Sequence, residues 1–130
     1  MSELTMMSAR TPEESSSLIS TAINGGDLDA ILALYEPDAV SVPPTGEGTV
    51  CGDARRAMFE GMVALNPTLD FRVTRTLTSG DIALVTGNWT MKGTTPDGSP
   101  LEMEGAYADV LRRQYDGTWK FIIDNPLGTD

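Results

Sequence analysis

Leu101-Glu102-Met103-Glu104-Gly105-Ala106-Tyr107-Ala108-Asp109-Val110-Leu111-Arg112-Arg113 decides the fold. Its odd positions are Leu101, Met103, Gly105, Tyr107, Asp109 and Leu111; its even ones are Glu102, Glu104, Ala106, Ala108, Val110 and Arg112. A period of two places successive side chains on opposite faces of a strand, so the odd face reads as the core side. Three more strands surround this one, at about 69–78, 82–92 and 118–124. They are separated by Ser79-Gly80-Asp81, Thr95-Pro96-Asp97-Gly98 and Tyr115-Asp116-Gly117, all turn-forming combinations. Such short connections force antiparallel neighbours, and the second half of the chain is therefore expected to be a meander.

Upstream, the period lengthens to that of helices. Thr11-Pro12-Glu13-Glu14 predicts a helix start, with Thr11 as cap and Glu14 completing a capping box. Leu18, Ile19, Ala22 and Ile23 form its apolar stripe, and Asn24-Gly25-Gly26 ends it. Asp27 caps a second helix carrying Leu28, Ile31, Leu32 and Tyr35, closed by Glu36-Pro37. Residues 39–43 read as a short strand before a turn-rich segment. A third helix is expected from Asp53 to about Leu65, with Ala54, Met58, Met62 and Leu65 inward and Phe59 beside them. Helices followed by a meander imply an α+β domain over residues 11–130, preceded by a flexible tail at 1–10.

Composition removes several chemistries. With 19 acidic residues against 9 basic and a formal charge of −10, neither nucleic acid nor an anionic membrane surface is an expected partner. The chain contains no histidine and one cysteine, Cys51, so a metal site or a Cys/His nucleophile is not expected, and no cofactor is implied. Proton chemistry falls to Asp, Glu, Tyr or Lys. The lone cysteine, with no apolar leader or membrane-length run, suits a cytoplasmic protein. Cys51 reads as structural. The glycines of PTGEGTVCG (44–52) lack the Lys-Ser/Thr of a phosphate loop.

Asp109 is the charged residue on an otherwise apolar strand face. A buried carboxylate is costly unless paired or protonated, so Asp109 is expected either to have a raised pKa or to meet a partner. The first outcome suits a general acid, base or hydrogen-bond donor; the second is ordinary structural pairing, and a one-residue slip would turn it outward. Asp124 ends a mixed face of the last strand. It could line a pocket mouth or sit solvated before Asn125-Pro126. Tyr35, Met58, Met62, Trp89 and Tyr107 are candidates for an apolar lining with two hydroxyls, or for plain core. Arg55-Arg56 and Arg112-Arg113 are expected to point to solvent.

AINGGDLDAILALYEPDAVSVPPTGE (22–47) and CGDARRAMFEGM (51–62) resemble the opening of the nuclear transport factor 2-like superfamily, including its ketosteroid isomerase-like and SnoaL-like members. GNWTMKGTTPDG (87–98) and GAYADVLRRQYDGTWKFIID (105–124) resemble its sheet, so the likeness covers about residues 12–127. The resemblance implies a cone-shaped, curved antiparallel sheet with about three N-terminal helices on its concave face, a cystatin-like arrangement. It also implies a cavity for a small apolar molecule and a homodimer formed through the sheet face. Laid on the steroid isomerase pattern, the oxyanion tyrosine falls on Ile19 and the general base on Pro43, while the protonated aspartate falls on Asp109. Steroid isomerisation is therefore not expected. Related cyclases place an acid in the last-strand region occupied by Asp124. The reading is an isomerase, cyclase or hydrolase working through Asp109 and Asp124; the alternative is a non-catalytic ligand-binding or dimerisation module.

Overall fold

The computed structural model describes residues 8–128. Three helices, α1 (Glu14–Asn24), α2 (Leu28–Ala33) and α3 (Asp53–Val63), pack on a five-stranded, curled and unclosed sheet. Its strands are β1 (Tyr35–Ser41), β2 (Thr68–Ser79), β3 (Ile82–Thr94), β4 (Pro100–Arg113) and β5 (Trp119–Asp124), in the order β1-β5-β4-β3-β2. The meander is antiparallel from β2 to β5, and β1 adds in parallel beside β5. This is the expected α+β architecture.

The odd residues of β3 and β4 face the helices as their alternation predicts: Ala83, Val85, Trp89, Met91, Tyr107, Asp109 and Leu111 are all buried. α1 contributes Ile19, Ala22 and Ile23 to that core. Asn24 fastens it to β2, donating from Nδ2 to the Leu69 carbonyl at 3.0 Å and accepting from the Leu69 amide at 2.7 Å. This pair satisfies backbone groups at the start of β2 that no neighbouring strand would otherwise reach.

Several local expectations are corrected. The Thr11 capping box does not form: α1 starts at Glu14, whose amide donates to the Thr11 carbonyl, while its carboxylate accepts from the Arg10 amide. Asp27 caps α2 as expected, accepting from the Ala30 amide at 3.1 Å. α2, however, ends at Ala33, and Tyr35 opens β1 instead of closing the helix. Pro37 disfavours helical backbone at Glu36, and Tyr35 is recruited to the parallel pair with Phe121, its ring 5.0 Å from that partner. Of the expected tail, residues 1–7 lie outside the described residues. Ala9 is fully buried and bridges Trp119, so packing begins before Thr11.

Two glycines shape the concave face. Gly87 sits opposite Tyr107 and Gly105 opposite Trp89, so each large ring lies over a residue with no side chain. An added Cβ at Gly105 would stand 2.9 Å from the Trp89 indole. The two aromatics thus occupy space that ordinary residues would fill, and the sheet curls around them.

Candidate functional site

A cavity of about 420 Å³ lies between the helices and the concave sheet. Hydrocarbon and thioether groups make most of its wall: Ile19 and Ile23 from α1, Met58 and Met62 from α3, Phe71 and Trp89 from the sheet. Met91, Met103 and Leu127 also line it, which gives four methionines whose flexible side chains adapt to irregular occupants. Among the described residues, the one ionisable side chain on the wall is Asp124.

Asp124 reaches the cavity because of a bulge. β4 and β5 pair as Arg113↔Trp119, Arg112↔Lys120 and Leu111↔Phe121, but the next pair is Val110↔Ile123. Ile122 is the extra residue, and it reverses the parity of everything after it. Asp124 therefore shares the inward side with Phe121, not with Lys120. One step further along the shifted register, Asp109 stands across from Asp124, consistent with the Ala108 amide donating to the Asn125 carbonyl at 2.9 Å. Two carboxyls from adjacent strands thus neighbour one another, Asp124 on the cavity wall and Asp109 behind it.

Their surroundings differ. Asp109 is 5% exposed and accepts from the Asn125 amide at 2.9 Å. Burial and then the charge of Asp124 push its pKa well above the usual carboxylate range, with the Asn125 amide opposing. Asp124 accepts from the Tyr35 hydroxyl at 2.7 Å. Burial raises its pKa too, but the Tyr35 hydroxyl, Ser41 and the Arg55 guanidinium all favour its ionised form. Ser41 Oγ is buried near Asp124 and makes no hydrogen bond of good geometry. Burial, followed by Asp124, lifts the Tyr35 hydroxyl well above its ordinary value, so Tyr35 is held as a neutral donor.

Of the sequence-derived candidates, Asp124, Met58, Met62 and Trp89 lie on the wall. Trp89 is fixed by donating from Nε1 to the Pro126 carbonyl at 2.7 Å. Asp109 and Tyr35 stand behind Asp124. Tyr107 turns its hydroxyl to Ser16, 3.0 Å away, and packs edge-on against Phe71. Arg55, expected in solvent, is instead 4% exposed, lying 4.8 Å over the Tyr35 ring and donating from Nη2 to the Ala39 carbonyl. A signal for this exists in the sequence: Arg55 precedes the buried Phe59 by one helical repeat and so shares its face. Ala54, expected inward, is exposed. Arg56 and Arg112-Arg113 do lie at the surface, in ion pairs with Asp29 and Glu60, Glu36 and Asp81. Cys51 is also exposed and fills no core position.

The raised pKa of Asp109 has a consequence for stability. Between its unfolded and folded values the folded protein binds more protons than the unfolded chain, so stability falls as pH rises through that window. A tenfold difference in proton affinity is worth about 1.4 kcal/mol. Asp109→Asn keeps an acceptor for the Asn125 amide and removes the group that must take up a proton on folding. It is expected to be more stable than wild type at pH 7 to 8 and to show a shallower decline, the remainder coming from Asp124, measured as urea unfolding free energies from about pH 4 to 9.

The SnoaL-like domain model matches residues 18–122, most of the chain, with β1 to β4 whole and the first part of β5. The protein belongs to the SnoaL-like family. No curated protein matches the sequence. Among solved structures it is similar to a nuclear transport factor 2-like protein with a cystatin-like fold from Novosphingobium aromaticivorans, at 18% identity and a TM-score of 0.67, covering 85% of this chain and 75% of that one. It is also similar to the epoxide hydrolase/cyclase-like enzyme SalBIII of pyran ring formation in salinomycin, at 20% identity and TM-score 0.69, covering 86% and 85%. The S. rosetta CaMKII hub matches at 19% and 0.69, covering 86% and 89%. These identities establish a shared fold. Within this SnoaL-like fold Ile19 presents hydrocarbon to the cavity. Among the described residues no helix is long and apolar enough to cross a membrane.

Proposed function

We propose that this SnoaL-like protein binds a small, uncharged, largely apolar molecule in the cavity and moves a proton on it through Asp124. The supporting observation is a single ionisable group on an apolar wall, hydrogen-bonded by Tyr35 and backed by a second carboxyl. In the resting state Asp124 is the base. It takes a proton from an acidic C–H or O–H of the ligand, becomes neutral, and returns the proton to another atom of the same molecule. Asp109 stays protonated, so the pair never carries two buried charges. No cofactor enters this scheme. The catalysis of α-proton exchange of 2-tetralone, an uncharged apolar ketone, in D2O tests it. Exchange above background in wild type that disappears in Asp124→Asn supports the reading, and equal rates in the two proteins overturn it.

A second reading concerns assembly. On the convex face Leu77, Leu84, Val110 and Ile123 are consecutive partners across β2 to β5. Leu77 is 52% exposed and Ile123 39%, with Ile82 beside them. An apolar row spanning four strands favours a homodimer through this face. Leu77→Glu should leave the fold intact and weaken the dimer by at least about tenfold, read by light scattering on a dilution series. A wild-type monomer at about 100 μM, a concentration at which even a weak 10 μM dimer would be mostly formed, would refute it.

A further inference from the structure

We infer that Arg55 is the positioning residue of the carboxyl pair: a buried cation on the Asp124 side, it assigns the negative charge to Asp124 and leaves the proton on Asp109. The inference deepens the proposed role of Asp124 and rests on it for its functional meaning. Geometry carries it. α3 presents Arg55 inward one repeat before Phe59, and the guanidinium carbon sits over Tyr35, 4.8 Å from the ring centroid. Nη2 is anchored on the Ala39 carbonyl, while Nε is buried without a hydrogen-bond partner. Arg55 makes no direct ion pair with any described carboxylate. A cation so placed is not there to solvate itself; burying it unpaired is costly, and its field falls on whatever lies across the ring.

Across the ring is Asp124, held by the Tyr35 hydroxyl at 2.7 Å. The groups facing Asp124 are Tyr35 and Ser41 from β1, Arg55 from α3 and Asp109 from β4. Those facing Asp109 are Asp124, the Asn125 amide, Tyr107 and Tyr35. Arg55 acts on Asp124 and Tyr35, and no cation among the described residues acts on Asp109. The two carboxyls, equivalent in chemistry, are made unequal by the Tyr35 hydroxyl, Ser41 and this guanidinium, and of these only Arg55 carries charge. Tyr35 touches both groups, its ring under Arg55 and its hydroxyl on Asp124.

The test is a carbon-13 titration of the aspartate carboxyls in the ligand-free protein, with the two signals assigned through Asp109→Asn and Asp124→Asn. In wild type Asp124 ionises first; Asp109 ionising first overturns the inference without any Arg55 variant. Arg55→Met should raise the Asp124 midpoint by about tenfold or more in proton affinity, and Arg55→Lys by about threefold, since a flexible ammonium does not reproduce the stacked, anchored guanidinium. An unmoved Asp124 midpoint in whichever variant folds also overturns it. These titrations need no ligand. If 2-tetralone exchange proves independent of Asp124, the proposed reaction falls while the order of ionisation still decides the place of Arg55.

Discussion

Asp124→Asn is expected to lower the α-proton exchange rate of 2-tetralone by about 10²- to 10⁴-fold, the usual range for losing a positioned acid–base group. The substitution is nearly isosteric, and the Asn oxygen can still accept from Tyr35, which approaches Asp124 at 2.7 Å. Cavity shape, lining and the buried Asp109 are retained, so binding should survive while proton transfer does not. The amide oxygen has too little basicity to take a proton near neutral pH, and Asp109 cannot substitute, since it lies behind the wall and not on it. The wild-type rate should rise with pH as Asp124 ionises and then level, the midpoint reporting the base in the free enzyme. Fluorescence of the neutral dye Nile red, measured in parallel, separates the two functional readings. Dye binding in both proteins with exchange in neither assigns the cavity to ligand storage or sensing instead of catalysis.

The distance between sequence and site is set by three residues. Alternation from Leu101 to Arg113 points Asp109 inward correctly, because that strand has strong polar and apolar contrast and the structure keeps it continuous against β3 through thirteen pairs from Thr94↔Pro100 to Ile82↔Arg112. Asp124 cannot be oriented the same way. Phe121, Ile122 and Ile123 are all apolar, so no contrast marks which one is the bulge, and parity beyond it is undetermined until β4 supplies the register. Tyr35 follows Ile31 at helical spacing and so resembles the end of α2; its pairing with Phe121, with its ring packed on Phe121 and Phe59, makes it the first residue of a strand. Arg55 is obscured by its charge. Its burial depends on Tyr35 lying beneath it and on the Ala39 carbonyl, both contributed by β1 and invisible from α3 alone. The scaffold is therefore readable locally, whereas the site is assembled from long-range pairings that local patterns do not encode. The SnoaL-like resemblance brings both Asp109 and Asp124 forward, and of the two Asp124 lies on the cavity wall.

Gly87→Ala is expected to be the most damaging single methyl group in the protein, destabilising it by about 3 kcal/mol or more. The added Cβ would lie 2.1 Å from the Arg72 carbonyl oxygen and 2.8 Å from both Cε1 and the hydroxyl of Tyr107. A flexible side chain could move aside, but the closest obstacle is backbone of the paired strand. Relief requires β2 to part from β3 where the Val73/Arg75 bulge already interrupts the ladder. At this chain length such a loss corresponds to roughly 10 °C in melting temperature. Gly61 provides the matched control. It lies within α3, and a methyl group added there would meet nothing within 4 Å, so Gly61→Ala should stabilise by about 0.5–1 kcal/mol through helix propensity. Differential scanning calorimetry of the two variants should therefore give shifts of opposite sign; a Gly87→Ala shift as small as that of an exposed site would refute the steric account. The same substitution also bears on the site. Displacing Tyr107 loosens its 3.0 Å contact with Ser16 and the β4 segment that carries Asp109 toward Asp124. Any folded Gly87→Ala protein should accordingly show altered carboxyl titration, because Tyr107 and Asp109 lie two residues apart on the same face of β4.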